Sequence, residues 1–419
     1  MGSSILSRVA ACLPAGQADA TGSILSRVAA CLPGGQRDGL VRYPHAAVLV
    51  TDMSGFTSRT RKMGIVHFAS LILRMRQLCL PIMHAHGALF VATEADNLIV
   101  ILPTALAAAK AACEIRAALA AHGAALPADR AEDWVLQLNG VGVHAGADVV
   151  VDVEQQTVYG AVFDVAYRLG EDVCAGAELL LTALVRDAVR DDPYFRDATF
   201  ERRSDGGGGG EAEGAPLFAV GGAPGPMPDL QVPIGEARHT PAALMPLLSR
   251  HDEALPPAAL AELDAGLQRA HMRPASVLMF EIVPTSAEPS AERAALRRRA
   301  FMRDSMRGVL RAAGGTELED VLWTFESPAA AVAAAVAGRA AVARGREHAT
   351  CDVRGWGVHH GSLLLVPGTD VHWGDPVNTA SKLGQDIASD GQILISDAVF
   401  RSLSQLDVVR PQPPRSRLT

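Results

Sequence analysis

Aromatic residues are scarce in this sequence, at 5% of 419 positions, and its six cysteines (Cys12, Cys31, Cys79, Cys113, Cys174, Cys351) form no Cys-x-x-Cys pair. That spacing excludes a disulfide framework and a zinc ribbon, and it fits a reducing, cytoplasmic setting. Long apolar runs are missing too. The stretches around 98–109 and 329–337 fall short of the roughly 18 residues that suggest a membrane span, and the second is mostly alanine, so no span is expected. Basic residues are in deficit, 38 Lys and Arg against 46 Asp and Glu, for a net charge of −8. Arg297, Arg298 and Arg299 form a local patch, but no broad basic surface exists for a nucleic-acid backbone. The glycine run at 206–210 lacks a following Gly-Lys-Ser/Thr, which makes it a flexible tip rather than a phosphate loop.

What the chain does have is apolar content, 49% of a length that implies two cores rather than one. Near the N-terminus, residues 4–17 recur almost unchanged at 23–36. Each copy reads as a short amphipathic helix, with Ile5, Leu6, Val9 and Leu13 on one side and a proline ending it. Residues 1–40 therefore read either as a segment that docks on a protein partner or touches a membrane, or as a duplicated tail.

From residue 41 to 222 the pattern alternates strands and helices, among them a long helix at about 57–85 and a strand at 178–182, as a mixed α/β domain does. Residues 223–273 are a Pro- and Ala-rich connector with one helical stretch near 257–270, and 274–409 repeat the first order of elements, with strands at 276–282 and 353–360, before a tail at 410–419. The repetition is visible in the letters. Residues 93–102 align with 316–325, Gly142-Val-His-Ala-Gly146 with Gly357-Val-His-His-Gly361, and 160–172 with 374–386. Three collinear matches predict two copies of one fold, packed face to face about a pseudo-twofold axis.

Chemistry concentrates at three places. A strand ending at Asp52 hands over to a helix through Met53, Ser54, Gly55, Phe56 and Thr57, which puts a carboxylate beside backbone N–H groups that suit a metal-bound triphosphate. The competing reading is an N-cap made by Ser54 or Thr57, with Asp52 merely solvated. Asp96 lies in the turn of the next hairpin, and paired with Asp52 it suits two Mg²⁺ ions about 3.5 to 4 Å apart. In the second copy, Asn378 and Lys382 are one helical turn apart and share a face, so an amide and a cation are presented together.

Together these segments resemble the class III adenylyl and guanylyl cyclases over most of 44–221 and 274–400. The resemblance implies an α/β fold of the ferredoxin-like cyclase type, an α+β sandwich, with two cyclase-like domains forming an intramolecular pseudo-twofold heterodimer. Asp52 and Asp96 match the metal aspartates for two Mg²⁺ or Mn²⁺ ions, Met53 to Thr57 the phosphate-binding turn, and Asn378 the ribose-orienting asparagine. Lys382 stands where the family has arginine, which keeps the charge and loses the planar fork.

The opposite composite site would draw Glu281 and Glu319 from the second domain and Asp164 and Arg168 from the first. It reads as degenerate, because Pro284 offers no N–H and Asp164 puts a negative charge in place of asparagine. For the base, Ala92 occupies the position of the adenine-reading lysine, Asp370 lies near the position of the family's aspartate, and Glu317 is a guanine-type candidate. The resemblance implies conversion of ATP (or GTP) to a cyclic nucleotide and pyrophosphate. The alternative is a catalytically weak or dead module that binds nucleotide or serves a larger assembly.

Overall fold

A computed structural model describes residues 39–53, 55–203, 216–222, 255–286, 290–345, 350–366 and 371–404. The N-terminal repeat, the glycine run, most of the connector, the C-terminal tail, Ser54 and Asp370 lie outside these residues.

The first sheet begins with β1 (Leu40–Met53), whose apolar run 46–50 is buried on both faces. Helices α1 (Phe56–Met63) and α2 (Ile65–Ala85) follow, then the hairpin β2 (Phe90–Glu94) and β3 (Asn97–Leu102), then α3 (Ala105–Ala125) and α4 (Ala131–Trp134). β4 (Leu138–Asp152) and β5 (Thr157–Tyr159) make a long hairpin ahead of α5 (Ala161–Arg168), β6 (Glu178–Thr182), α6 (Ala183–Val189), β7 (Thr199–Arg203) and β8 (Leu217–Gly221). The strands lie in the order β2-β3-β1-β4-β6-β8-β7, with β5 on β4. Ala47 and Leu49 of β1 pack under α2 and α3, while Val48 and Val50 pack under α5. That alternation makes the sheet the middle of a sandwich.

Helix α7 (Pro257–His271) leads to the second sheet: β9 (Met272–Pro284), α8 (Ala291–Phe301), α9 (Arg307–Ala312), β10 (Thr316–Glu319), β11 (Leu322–Phe325), α10 (Pro328–Gly345), β12 (Cys351–Leu365), β13 (His372–Trp373), α11 (Asp375–Ser381), β14 (Gln392–Ile395) and α12 (Asp397–Ser404). Its order is β10-β11-β9-β12-β13, with β14 parallel to β12. The corresponding pair in the first sheet, β4 and β6, is also parallel.

The two halves interlock through their long hairpins. Leu364, Val366, Val371 and Trp373 from the β12–β13 arm belong to the same buried cluster as α2 and α3 of the first half. In the other direction Val150 of the β4–β5 arm is buried with Ala291 and Ala295 of α8. Asp148 Oδ2 accepts the Ala291 N–H at 2.9 Å, and the Arg299 guanidinium pairs with Asp152. The connector helix α7 is docked as well, with Leu267 buried in the first-half cluster.

Helix α2 is long and apolar enough to cross a membrane by length and composition, a stretch the reading of apolar runs passed over. With 72% of its apolar window buried, its hydrophobicity is that of a core helix. Two of the π-helical segments, Leu169–Val173 and Lys382–Ile387, continue α5 and α11 where those helices cross their sheets. Gly142 meets Gly170 there, and Gly357 meets Gly384: a Cβ on Gly142 or Gly357 would stand 2.5 Å from the facing backbone nitrogen. Part of the repeated lettering is therefore packing.

Candidate functional site

Asp52 stands at the end of β1 opposite Gly140, where a bulge between Asp52 and Met53 ends the regular register. Such a bulge re-aims the chain. Gly55 takes the left-handed conformation (φ 76) as the N-cap of α1. A glycine has no side chain to cap with, so the first-turn N–H groups remain available to another acceptor. Ser58 Oγ instead donates to the Gly55 carbonyl at 3.0 Å.

The Asp52 carboxyl is not simply solvated. Burial pushes its pKa up to about 6, against which a hydrogen bond with Asn139 works. Asp96 is 9% exposed in the two-residue turn between β2 and β3, next to Ala95 at φ 51. Its pKa rises to about 7, through burial first and then the charge of Asp52, with Arg76 pulling the other way. Asp96 therefore feels the charge of Asp52. Glu171, in the π segment after α5, is pushed up to about 8 by burial and then by Asp52 and Asp96. Asn97, beside Asp96, donates its amide to Glu171.

Sequence reasoning missed Arg76, Asn139 and Glu171. One signal for Glu171 was present, since the aligned position in the second half is the neutral Gln385. Arg76 gave none, being one of two arginines, with Arg74, in an apolar helix.

The second half contributes α11. Its first residue, Asp375, pairs with Arg61 of α1 at 3.6 Å, and Trp373, two residues earlier, lies against the Arg76 guanidinium. α11 thus begins beside both elements that flank the aspartates. Asn378 is half-buried and Lys382 exposed. The Lys382 N–H points to the carbonyls of Asn378 and Thr379, so the two side chains are one helical turn apart even though Lys382 opens the π segment.

The two glutamates assigned to the opposite site are already paired within the second half. Glu281 pairs with Arg354 at 2.5 Å, and Glu319 with His372 Nε2 at 2.7 Å. Asp164 is exposed in the first turn of α5, and Arg168, in its last turn, acts electrostatically on Asp172. The alignment of Glu319 with Asp96 needs correcting. Leu322 pairs with Met279, which faces Gly357, as Ile99 pairs with Val50, which faces Gly142. Glu319, opposite Leu322, is therefore level with Ala92, opposite Ile99. The second hairpin turns closer to the sheet, which puts Glu319 on a strand where Asp96 is in a turn. Glu317 is occupied by Arg307 at 2.7 Å and Arg311 at 2.9 Å.

The chain resembles solved structures of class III adenylyl and guanylyl cyclases. One is an adenylate/guanylate cyclase/hydrolase from Silicibacter pomeroyi, 22% identical over 43% of this chain and 95% of that one, with a TM-score of 0.33. Others are an adenylate cyclase from Trypanosoma brucei in its monomeric state (14%, 45% and 92%, TM-score 0.34) and an adenylyl cyclase from P. aeruginosa (16%, 44% and 96%, TM-score 0.34). No protein-family model and no curated protein matches the chain.

Proposed function

We propose that the chain is a nucleotide cyclase that converts ATP to cyclic AMP and pyrophosphate at one composite site, with its two sheets acting as cyclase-like domains about an intramolecular pseudo-twofold axis. The observation that carries this reading is the meeting of complementary parts. Asp52 and the electrostatically linked Asp96 belong to one half, and from the other the helix bearing Asn378, with Lys382 just beyond it, starts beside the helices between them in sequence, with Asp375 on Arg61 and Trp373 on Arg76.

Two partly buried carboxylates, one raising the proton affinity of the other, fit hard divalent cations such as Mg²⁺ or Mn²⁺. Among the described residues no group of three or more His, Cys, Asp or Glu side chains forms a metal cage. A donor set of two aspartates suits an ion that also takes substrate phosphates. When bound, such ions supply Lewis-acid activation of the 3′-hydroxyl and neutralise charge on the leaving pyrophosphate.

The remaining roles belong to the chain. Asp52 and Asp96 hold the ions at the end of β1, and the N–H groups opening α1 receive the phosphates. Asn378 orients the ribose so that O3′ attacks the α-phosphorus in line. The O3′–P bond forms as the bond from the α-phosphorus to the bridging oxygen breaks, the 3′-hydroxyl proton passes to water, pyrophosphate leaves, and Lys382 offsets the charge that develops. The position of Glu319 bears on the base. A carboxylate only accepts hydrogen bonds, and guanine presents two donors on its pairing edge, so GTP belongs beside ATP in any assay.

Purified protein incubated with Mn²⁺ and either nucleotide should yield cyclic product, and Asp52→Asn should abolish it. No product with either nucleotide, or equal product from the variant, overturns the reading. A second reading, a cyclase-like module that binds nucleotide without turnover, draws on Lys382 in place of arginine and on the ion pairs already made by Glu281 and Glu319. Binding without product would favour it.

A further inference from the structure

We infer that Arg76 is a positioning residue that makes the Asp96-bearing turn depend on the docking of the second half's β12–β13 arm. Its importance for catalysis rests on the cyclase reading; the coupling itself does not.

Arg76 is 1% exposed, within the apolar helix α2. Burying a guanidinium is costly unless its donors and its flat face are both engaged. One terminal nitrogen donates to the Ala95 carbonyl at 2.8 Å. Ala95 is the left-handed residue (φ 51) immediately before Asp96, a conformation that costs a non-glycine residue roughly 1 kcal/mol and persists only where its surroundings hold it. The guanidinium carbon also lies 5.5 Å from the ring centroid of Trp373, which is 3% exposed.

A planar guanidinium can donate in its plane while stacking across it, which an ammonium cannot do. Trp373 ends β13, and Gly374 alone separates it from α11. The same side chain therefore touches the turn that carries Asp96 and the strand that leads to Asn378. Arm and turn are separated by about two thirds of the chain, and Arg76 bridges them. If the arm lifts, Arg76 loses its aromatic face and the strained turn loses the donor that holds it.

Hydrogen exchange on the full-length, metal-free protein tests this directly. Trp373→Leu should speed exchange across 93–98 by about tenfold, the equivalent of one desolvated cation–π contact, while β6 at 178–182 stays unchanged. Trp373→Phe, which keeps an aromatic face, should restore most of the protection. Faster exchange at 371–377 with 93–98 unchanged overturns the coupling. So does uniform acceleration that includes β6, which would mark the contact as merely structural. A parallel Mn²⁺ titration separates the two ideas: Trp373→Leu should weaken binding with Asp52→Asn as the non-binding control. A wild-type protein that binds no Mn²⁺ sinks the cyclase reading and leaves the exchange result to decide on Arg76.

Discussion

The Arg299 guanidinium of α8 closes on Asp152 of the β4–β5 arm, a carboxylate with no exposed surface, and so ties the helix of one half to the hairpin of the other. Asp152 Oδ1 also accepts the backbone N–H of Glu154 at 3.1 Å and Gln155 at 2.9 Å, which fixes the turn between β4 and β5. Removing the cation strands a buried charge. Arg299→Ala should therefore cost about 3 to 5 kcal/mol in urea denaturation, and adding Asp152→Asn to it should recover part of the loss. A loss under about 1 kcal/mol, the range of an exposed pair, would show that water reaches the arm.

Asn97 and Glu171 give a pH dependence whose sign is fixed. Burial and the neighbouring aspartates raise Glu171 from 4.5 to about 8, so the folded protein binds this proton more tightly than the unfolded chain. Its contribution is fully present below pH 4.5 and is lost as pH rises towards 8. Glu171→Gln keeps an oxygen for the Asn97 amide and removes the ionisation. In metal-free buffer the variant should match wild type near pH 4.5 and exceed it by about 1 to 2 kcal/mol at pH 8, a figure reduced for the partial exposure of the group. A stability difference that is the same at both ends of the range would contradict the assigned environment.

The paired glycines make a prediction about fold rather than chemistry. A Cβ at Gly142 would meet the Ala166 carbonyl at 2.4 Å, and one at Gly357 the Ala380 carbonyl at 2.0 Å. Backbone cannot move aside as a flexible side chain can, so Gly142→Ala and Gly357→Ala should each destabilise by about 3 kcal/mol or more. Gly266, in α7 with nothing within 4 Å of its added Cβ, is the control. Gly266→Ala should be neutral or stabilising by up to about 1 kcal/mol in the same thermal melts.

Where local pattern and burial agree, the sequence was legible. The strand at 178–182 has the bounds its apolar run predicts, and β9 and β12 extend the predicted strands at both ends. The predicted helix from 57 to 85 is two helices, because Gly64 at φ 86 and ψ 157 leaves the helical region between them. The short strands β5 and β13 and the exposed β7 have little apolar pattern of their own and are defined by their partners. The site was partly readable for a related reason. Asp52 and Asp96 stand in local contexts that announce a strand end and a turn, but Arg76 acquires its role only from Trp373, which no local window contains. The level of Glu319 depends on where a hairpin turns, and matched letters do not report that.

Lys382 offers the sharpest test of the composite site. It is exposed at the start of the π segment, one turn beyond Asn378, and its ammonium is a point charge on a flexible stem. A guanidinium at the same position would present two parallel donors to a phosphate and lose less freedom on binding. If the position faces the α-phosphate, that gain appears in the transition state rather than in the ground state. Lys382→Arg should then raise kcat by about tenfold with KM nearly unchanged, and Lys382→Met should lower kcat by at least as much. Circular dichroism should be the same for all three proteins, since an exposed side chain is being exchanged. A change confined to KM would place Lys382 on the outer phosphates, and no change in either parameter would remove it from the site.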